Sequence, residues 1–331
     1  MRKINGVPVE AHTDLSNLTG GEVLKWDADS GKMAWEDQDS TGYLPLWYGG
    51  RGLFMGGYTT PPINNIQYIT ISSTGNALDF GDLTVARYTG GSLSNTTRGV
   101  FGGGRGSASA NRNVIDYITV STTGNATDFG DLTRSGSGIG GFSSGVRGVF
   151  TAGASDTMDY ITIATAGNAI DFGNLVQSRS ETNGGMSNGT RGIISGGEPS
   201  ASLTSDMEYI TIASTGNSTS FGDLTLARGA TTATDGDGRG LTIGGYSSGS
   251  GYQNIIDYVT ISTTGNATDF GDMTTGSQNC SSCSNNTRAV IPAGSSATST
   301  IEYVTIASTG NATDFGDMET NVSGAAGLSG D

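Results

Sequence analysis

The sequence predicts an all-β, six-bladed β-propeller, and three observations support this prediction. One phrase, represented by Tyr117–Asp131 (YITVSTTGNATDFGD), occurs six times at intervals of 43 to 49 residues, and a period in the forties is typical of propeller blades. A short Arg-Gly or Arg-Ala phrase accompanies every copy. Gly supplies 55 of 331 residues and charged residues only 14%, which favours short strands and tight turns over helices. The central asparagines of the six copies are Asn76, Asn125, Asn168, Asn217, Asn266 and Asn311.

From residue 48 onward, each repeat divides into four short strands. The first clear strand is Arg98–Gly103, whose closing glycines permit a sharp exit. In Tyr117–Val120 the residues alternate between the two faces of a strand. Thr-Gly-Asn then forms a tight turn, because Gly and Asn tolerate positive φ. Asp128–Leu132 is the next strand, and a Gly- and Ser-rich strand leads to the following repeat.

These residues resemble the kelch family of β-propeller blades, a family that is marked by a double Gly, a Tyr and a downstream Trp. Gly102-Gly103, Tyr117 and Phe129 stand at the corresponding places, with Phe instead of Trp in all six units. The resemblance covers residues 48–331 and implies a kelch-like variant of the propeller fold.

The two ends of the repeat region predict how the ring closes. The first unit begins at its second strand, with Arg51, and has no inner strand before it. Aligned with the segment around Leu93, the C-terminal segment 325–331 places Leu328 in the same slot. We therefore expect the C-terminal strand to supply the inner strand of the first blade, which removes the open edges of the array.

Residues 1–47 lack the repeat and form a separate N-terminal segment. Glu22–Trp26 and Lys32–Trp35 predict a β-hairpin, and residues 36–47 an acidic linker. Residues 18–35 resemble a segment of bacteriophage tail-fibre and other virion appendage proteins that lies near the end that attaches or oligomerises. The resemblance implies attachment to other virion proteins through residues 1–47, a homo-oligomer (a trimer is favoured), and localisation in the virion after synthesis in the host cytoplasm.

Composition excludes several classes of function. A net charge of −15 disfavours binding to nucleic acid, and no apolar run is long enough for membrane insertion. The start of the chain lacks the apolar core of a secretory signal. The pair Cys280 and Cys283, with His12 as the single histidine, cannot supply a zinc site. Cys283 occupies a mostly apolar slot of the repeat, which predicts a structural role. We expect no cofactor and no metal.

Two repeated sets of charged residues are interpreted as structural. The Asp-Phe-Gly-Asp pairs, such as Asp128 and Asp131, recur in near-identical copies, so we favour turn capping over weak calcium binding. In five of the six repeats an acid stands just before the repeat tyrosine, on the strand next to the repeat arginine, whereas the first blade carries Gln67 instead. This pattern predicts a repeating structural ion pair rather than a ring of ligand-binding arginines. The pairs are Arg98 with Asp116, Arg147 with Asp159, Arg191 with Glu208, Arg239 with Asp257, and Arg288 with Glu302.

Variation among the repeats gathers in two classes of loop. One follows the double Gly (58–64, 105–112, 198–203 and 246–252) and the other follows the Asp-Phe-Gly-Asp strand (85–88 and 133–135). In a propeller both classes open on one face, here called the variable face. The nearly invariant Thr-Gly-Asn turns lie on the opposite, constant face. Diversified loops on a rigid scaffold carry recognition, although neutral drift gives the same pattern. The candidate ligand-binding residues are Tyr58, Tyr88, Arg105, Arg112, Tyr246 and Tyr252.

Three hypotheses of function follow. The first is a phage virion structural protein, a tail fibre or similar appendage, whose variable face binds a host cell-surface receptor, plausibly glycan. The second is a purely architectural virion protein, such as a capsid decoration or fibre spacer. The third, a glycan-cleaving propeller enzyme, requires a cluster of carboxylates on the variable face, and the sequence shows none. We therefore expect a protein that is not an enzyme.

Overall fold

The computed structural model describes residues 2–4, 7–9, 22–27, 32–37, 49–182, 184–199, 202–295 and 298–330. The chain divides into two compact units, residues 1–45 and 46–331. Residues 36 and 37, which the sequence assigns to the linker, belong to a strand, and the remainder of the predicted linker (38–47) lies outside the described residues, as do Tyr48 and most of the N-terminal segment.

Four strands are described in the first unit: β1 (Arg2–Ile4), β2 (Val7–Val9), β3 (Glu22–Asp27) and β4 (Lys32–Asp37). They form one sheet in the order β1-β2-β4-β3. β3 and β4 pair antiparallel, with Leu24 opposite Trp35. This is the hairpin that the sequence predicts.

The second unit is a six-bladed β-propeller, as the sequence predicts. Each blade is a four-stranded antiparallel sheet, and its strands are given below in order from the innermost to the outermost. Blade 1 consists of β30 (Ala326–Gly330), β5 (Arg51–Tyr58), β6 (Pro62–Thr70) and β7 (Leu78–Asp82). Blade 2 consists of β8 (Gly91–Ser94), β9 (Arg98–Gly102), β10 (Arg112–Thr119) and β11 (Thr127–Gly136). Blade 3 consists of β12 (Ile139–Ser143), β13 (Arg147–Ala152), β14 (Ser155–Thr162) and β15 (Ile170–Arg179).

The remaining blades repeat this order. Blade 4 consists of β16 (Met186–Ser187), β17 (Arg191–Ser195), β18 (Asp206–Thr211) and β19 (Thr219–Asp223). Blade 5 consists of β20 (Thr232–Gly236), β21 (Arg239–Ile243), β24 (Ile255–Thr260) and β25 (Thr268–Asp272), and its loop carries a small hairpin, β22 (Tyr246–Ser247) with β23 (Gly251–Tyr252). Blade 6 consists of β26 (Cys283–Ser284), β27 (Arg288–Pro292), β28 (Thr300–Thr305) and β29 (Thr313–Asp317).

The C-terminal strand closes the ring. β30 pairs antiparallel with β5, with Leu328 opposite Leu53 and Ala326 opposite Met55. All four side chains are buried in one apolar cluster. The closure predicted from the slot of Leu328 is therefore confirmed.

The apolar core lies between neighbouring blades rather than inside one sheet. One cluster joins Leu53 and Phe80 of blade 1 to Phe101 and Ile118 of blade 2, and similar clusters recur around the ring. In every blade the repeat tyrosine and phenylalanine meet edge to face, with ring centroids 5.9–6.1 Å apart. This geometry adds to the gain from burial.

The constant face is tied together by the repeated asparagines. Asn125 accepts a hydrogen bond from the backbone N–H of Asp82 in the preceding blade. The corresponding bond, 3.0–3.1 Å long, occurs at all six blade boundaries. The turn approaches so closely that a Cβ on Gly81 would collide with the backbone of Gly124. The turn and the Phe-Gly-Asp strand are thus repeated because each touches a neighbouring blade.

The predicted ion pairs between repeat arginines and repeat acids are wrong, because each group has another partner. The guanidinium of Arg98 lies 4.2 Å from the ring centroid of Tyr117, and it donates a hydrogen bond to the carbonyl of Ile163 in the next blade. Bonds of this type, 2.8–3.3 Å long, join every pair of adjacent blades. The register places Arg98 opposite Thr119 and Asp116 opposite Phe101, so the two charges do not face each other.

The repeat acids pair instead with a different set of arginines at the end of the preceding blade. Three such ion pairs are fully or almost fully buried: Arg87 with Asp116, Arg179 with Glu208, and Arg228 with Asp257. Asp159 accepts hydrogen bonds from the backbone and hydroxyl of Thr133, and Glu302 accepts the equivalent bonds from Thr274. The acids therefore join blades, as the asparagines do.

The aspartates of Asp-Phe-Gly-Asp also require a correction. Asp128 and Asp131 lie within the outermost strand β11, not in a turn. The carboxylate of Asp128 is exposed, and the backbone N–H of Asp131 is capped by Asn168. Charges on an outer edge strand oppose edge-to-edge aggregation. Among the described residues, no group of three or more His, Cys, Asp or Glu side chains could hold a metal ion.

Both thiols are free and buried. Cys283 lies in the apolar cluster with Phe54 and Val290, as its slot predicts. Burial raises the pKa of the Cys280 thiol to about 11 and also raises the pKa of Cys283. Few thiolates therefore exist near neutral pH, and thiolate is the reactive form.

We expect both cysteines of the native protein to resist a thiol-reactive disulfide reagent and to react fully once denaturant unfolds the chain. The measurement is the number of thiols titrated with time. The variant Ser248→Cys supplies an exposed thiol as a positive control. Rapid native labelling of the unmodified chain would contradict the burial.

Candidate functional site

The structure brings the two variable loop classes together on one face. Isolated β-bridges join a loop after a blade's outer strand to a loop after a double Gly. The bridges are Tyr88 to Arg105, Ser180 to Glu198, Gly229 to Tyr246, and Ser323 to Tyr58. This confirms the prediction that both classes open on the variable face, with one correction: residues 133–135 lie within strand β11 and not in a loop.

A ring of backbone hydrogen bonds supports this face. One residue of each loop after an outer strand has a left-handed backbone, with φ between +51° and +67°. These residues are Thr89, Gly138, Glu181, Ala230, Asn279 and Gly324. Five of these residues donate a hydrogen bond of 2.7–2.8 Å from their N–H to the carbonyl of the corresponding residue at the preceding blade boundary. At the remaining boundary the N–H of Thr182 donates to the carbonyl of Gly138, which completes the ring. The loops are therefore held by their backbones, which leaves the side chains free to vary.

The double Gly positions a variable residue at this ring in blades 1, 2, 4 and 5, and in blade 6 the corresponding pair is Ala293-Gly294. In blade 2 the double Gly is Gly103-Gly104, one residue later than the sequence predicts. Gly104 has φ +102°, and a Cβ there would stand 2.8 Å from the carbonyl oxygen of Tyr88. Gly245 shows the same close approach, 2.6 Å from the carbonyl oxygen of Gly229. The residue that follows the close approach differs from blade to blade. These residues include Tyr58, Arg105, Glu198, Tyr246 and Ser295.

The first cleft on the variable face contains two of the candidate tyrosines. The rings of Tyr58 and Tyr88 have centroids 5.0 Å apart and are tilted by 52°. They border a cleft of about 410 Å³ together with Pro61 and the backbone turn around Ser107. Tyr58 is 43% exposed, so an aromatic surface is available to a ligand. Among the described residues, none that lines this cleft carries a carboxylate.

The two candidate arginines do not line the first cleft. Arg105 is half-buried, and its backbone pairs with Tyr88 and with Asn111. The side chain of Arg112 packs over Gly106, where a Cβ would stand 2.8 Å from its Nε. The Arg112 side chain therefore packs against this loop, and its role in contacting ligand stays a prediction.

The second cleft contains Tyr246 and two carboxylates. Its volume is about 490 Å³, and Glu181, Glu198, Leu203, Leu226 and Tyr246 contribute to its wall. Tyr252 stands beside it, with its ring centroid 6.4 Å from that of Tyr246.

The electrostatics of the second cleft centre on Glu181. The side chain of Glu181 is exposed at the cleft, yet desolvation by the surrounding protein, followed by the nearby charge of Glu198, raises its pKa, while Arg105 opposes that rise. Two like charges therefore share this cleft.

Sequence analysis missed Glu181 and Glu198 as a pair, and its expectation that no carboxylates gather on the variable face is wrong. The two residues belong to different loops, one after the outer strand of blade 3 and one after the double Gly of blade 4. Alignment of the repeats could have placed each glutamate on the variable face. Glu181 aligns with the left-handed residues of the other loops, such as Thr89, and Glu198 aligns with Tyr246. Their proximity depends on how two blades pack.

The centre of the ring offers little space. A cavity of about 90 Å³ is lined by the inner strands of all six blades. Hydroxyl groups of these strands donate hydrogen bonds to the preceding inner strand: Ser143 donates to the carbonyl of Ser94, and Ser187 donates to that of Ser143. The axis is therefore closed by structural hydrogen bonds, and the two clefts are the better candidate binding sites.

The fold and these clefts define a closed six-bladed propeller with one repeated face and one diversified face. No protein-family model and no curated protein matches this chain. Within the part of the chain that the structure describes, no helix is long and apolar enough to cross a bilayer. The geometry of the variable face therefore carries the functional argument.

Proposed function

We propose that this chain is a structural protein of a bacteriophage virion, a tail fibre or similar appendage, whose variable face binds a glycan on the host surface. The observation that carries the proposal is the pair of tyrosine-walled clefts on the diversified face. Clefts of about 300–1,000 Å³ are typical of small-ligand sites, and both fall within that range. A tyrosine ring offers an apolar face for a sugar ring and a hydroxyl for hydrogen bonding.

Attachment is assigned to residues 1–47. This part of the proposal rests on the resemblance of residues 18–35 to virion appendage segments and on the hairpin of β3 and β4. In this proposal the N-terminal segment binds other virion proteins and forms a homo-oligomer, with a trimer favoured. The net charge of −15 argues against nucleic acid as the partner of the propeller.

Binding to bacterial cells tests the proposal. We expect full-length protein and a chain of residues 46–331, each fused to a fluorescent reporter, to bind strains of the host. The paired changes Tyr58→Ala with Tyr88→Ala, and Tyr246→Ala with Tyr252→Ala, should each weaken binding about 10-fold or more, because aromatic anchors dominate binding energy. The matched control is Val146→Ala with Ile170→Ala, which also removes two exposed apolar side chains but lies away from both clefts.

Two outcomes would contradict the proposal. Binding unchanged by both tyrosine pairs would exclude the clefts as the receptor site. Absence of binding to every host strain, together with attachment of the full-length chain to virion particles, would favour the architectural alternative.

A second candidate, glycan cleavage, gains support from the two carboxylates of the second cleft. Glycosidases pair a carboxylic acid of raised pKa with an ionised carboxylate, and the pKa of Glu181 is raised. Release of reducing ends from host polysaccharide, abolished by Glu181→Gln, would establish cleavage. Intact polysaccharide after prolonged incubation would leave binding as the function of the cleft.

A further inference from the structure

The second cleft differs from the first in charge. Glu181 and Glu198 both line it, whereas the described residues around the cleft of Tyr58 and Tyr88 include no acid. Among the charged groups that act on Glu181, Glu198 is a second anion and Arg105 is the opposing cation. A neutral ligand would leave the repulsion between the two carboxylates in place. A cation placed between them would relieve it.

The remainder of the wall suits a ring-shaped ligand. Leu203 and Leu226 contribute apolar side chains to the lining of the cleft, and Gln278 contributes an amide. Tyr246 is 39% exposed and borders the same space. An aromatic ring attracts both the face of a sugar and a nearby ammonium group. The volume of about 490 Å³ accommodates a small ligand of this type.

We propose that this cleft binds a sugar unit that carries a free, protonated amino group, with the ammonium group between Glu181 and Glu198 and the ring against Tyr246. This inference rests on the proposed function and names the chemical class of glycan that the variable face selects. The ammonium group donates charge-assisted hydrogen bonds to the carboxylates, which are stronger than bonds between neutral groups. An N-acetylated sugar loses that charge and introduces a bulkier group.

Binding of the cation is linked to release of a proton. The pKa of Glu181 is raised in the free protein because its surroundings disfavour the anion. A bound ammonium group stabilises that anion, so binding lowers the pKa and displaces a proton from the fraction of molecules in which Glu181 is protonated. Affinity should therefore rise with pH through the pKa of Glu181 and then level off while the amine stays protonated.

The experiment uses the full-length chain and two probes of equal length, an oligomer of glucosamine and an oligomer of N-acetylglucosamine. We expect calorimetry to show binding of the glucosamine oligomer that is at least about 10-fold tighter, since a bond to a charged group contributes roughly one to two factors of ten. Titrations in two buffers of different ionisation enthalpy should detect the released proton. Added salt should weaken binding, because the attraction is electrostatic.

Variants separate the carboxylates from general surface charge. Glu181→Gln and Glu198→Gln should each weaken binding of the glucosamine oligomer about 10-fold, and Glu181→Gln should also remove the proton release. Glu319→Gln is the matched control, because Glu319 is an exposed glutamate outside the cleft.

Several results would overturn the inference. No binding of the glucosamine oligomer, equal affinity for the N-acetylated oligomer, or an unchanged affinity of both glutamine variants would each exclude it. Failure of the proposed function is distinguishable. Host cells that bind the protein through the tyrosines while the amine preference is absent would retain the function and remove this inference. Tight, carboxylate-dependent binding of the glucosamine oligomer without binding to host cells would retain this inference and contradict the proposed function.

Discussion

Deletion of residues 326–331 is expected to lower the free energy of unfolding by at least ~5 kcal/mol and to cause aggregation. The deletion removes the inner strand of blade 1, so the backbone of β5 loses its partner from Arg51 to Met55. It also removes Leu328 and Ala326 from the apolar cluster between blades 1 and 2. An unpaired inner strand beside exposed apolar side chains is a template for association between chains. Denaturant unfolding followed by near-UV circular dichroism measures the loss.

Two further chains test whether the pairing itself is responsible. Leu328→Ala keeps the strand and should cost about 2–4 kcal/mol, less than the deletion. A circular permutant that places residues 319–330 ahead of residue 49, in a chain without the N-terminal unit, should regain most of the lost stability, because β30 again pairs with β5. An unfolding midpoint unaffected by the deletion would mean that the ring does not depend on this strand.

Replacement of Arg228 by Val is expected to destabilise the propeller by about 3–5 kcal/mol, because it leaves a buried carboxylate without its cation. Arg228 Nη1 lies 2.9 Å from Asp257 Oδ2, and both side chains are 0% exposed. Burial lowers the pKa of Arg228, although Asp257 opposes this effect. In the variant, Asp257 would keep the bonds from Thr225. Urea unfolding at neutral pH measures the change.

The chain contains its own neutral version of this boundary, which supplies the control. Between blades 6 and 1, Gln67 occupies the slot of Asp257 and Val322 that of Arg228. Gln67 accepts a hydrogen bond from the N–H of Thr320 and donates one to its carbonyl. The double variant Arg228→Val with Asp257→Gln should therefore recover a large part of the loss. A double variant no more stable than Arg228→Val would contradict the role assigned to the unpaired carboxylate.

The boundary between blades 5 and 6 lacks the arginine of this ion pair, so there the effect of adding the arginine can be tested. Ser277 stands in the slot of Arg228, and a cavity of about 50 Å³ remains beside the buried Glu302. Ser277→Arg should fill this cavity, pair with Glu302 and raise the free energy of unfolding by roughly 1 kcal/mol. A lower stability would mean that the hydrogen bond from the N–H of Gly294 to the Ser277 hydroxyl matters more than the new ion pair.

The sequence by itself determined the class of fold, the number of blades and the closing strand. Each rests on local information: the alternation within Tyr117–Val120, the period of the asparagines and the slot of Leu328. Side-chain alternation has a period of two in any strand, so the strands assigned in one repeat predict the strands of all the others. The separation of the loops into a constant and a variable face follows from the same order of strands.

Only the tertiary structure decided which side chains meet across blade boundaries. Arg98 and Asp116 lie on adjacent strands, yet Arg98 contacts Ile163 of the next blade and Asp116 contacts Arg87 of the preceding one. Glu181 and Glu198 share a cleft for the same reason, although they come from loops of different blades. A repeat pattern describes one blade, whereas the angle and distance between blades arise from the packing of apolar side chains such as Phe101 between two sheets. Contacts across a boundary depend on that packing, and no local pattern encodes it.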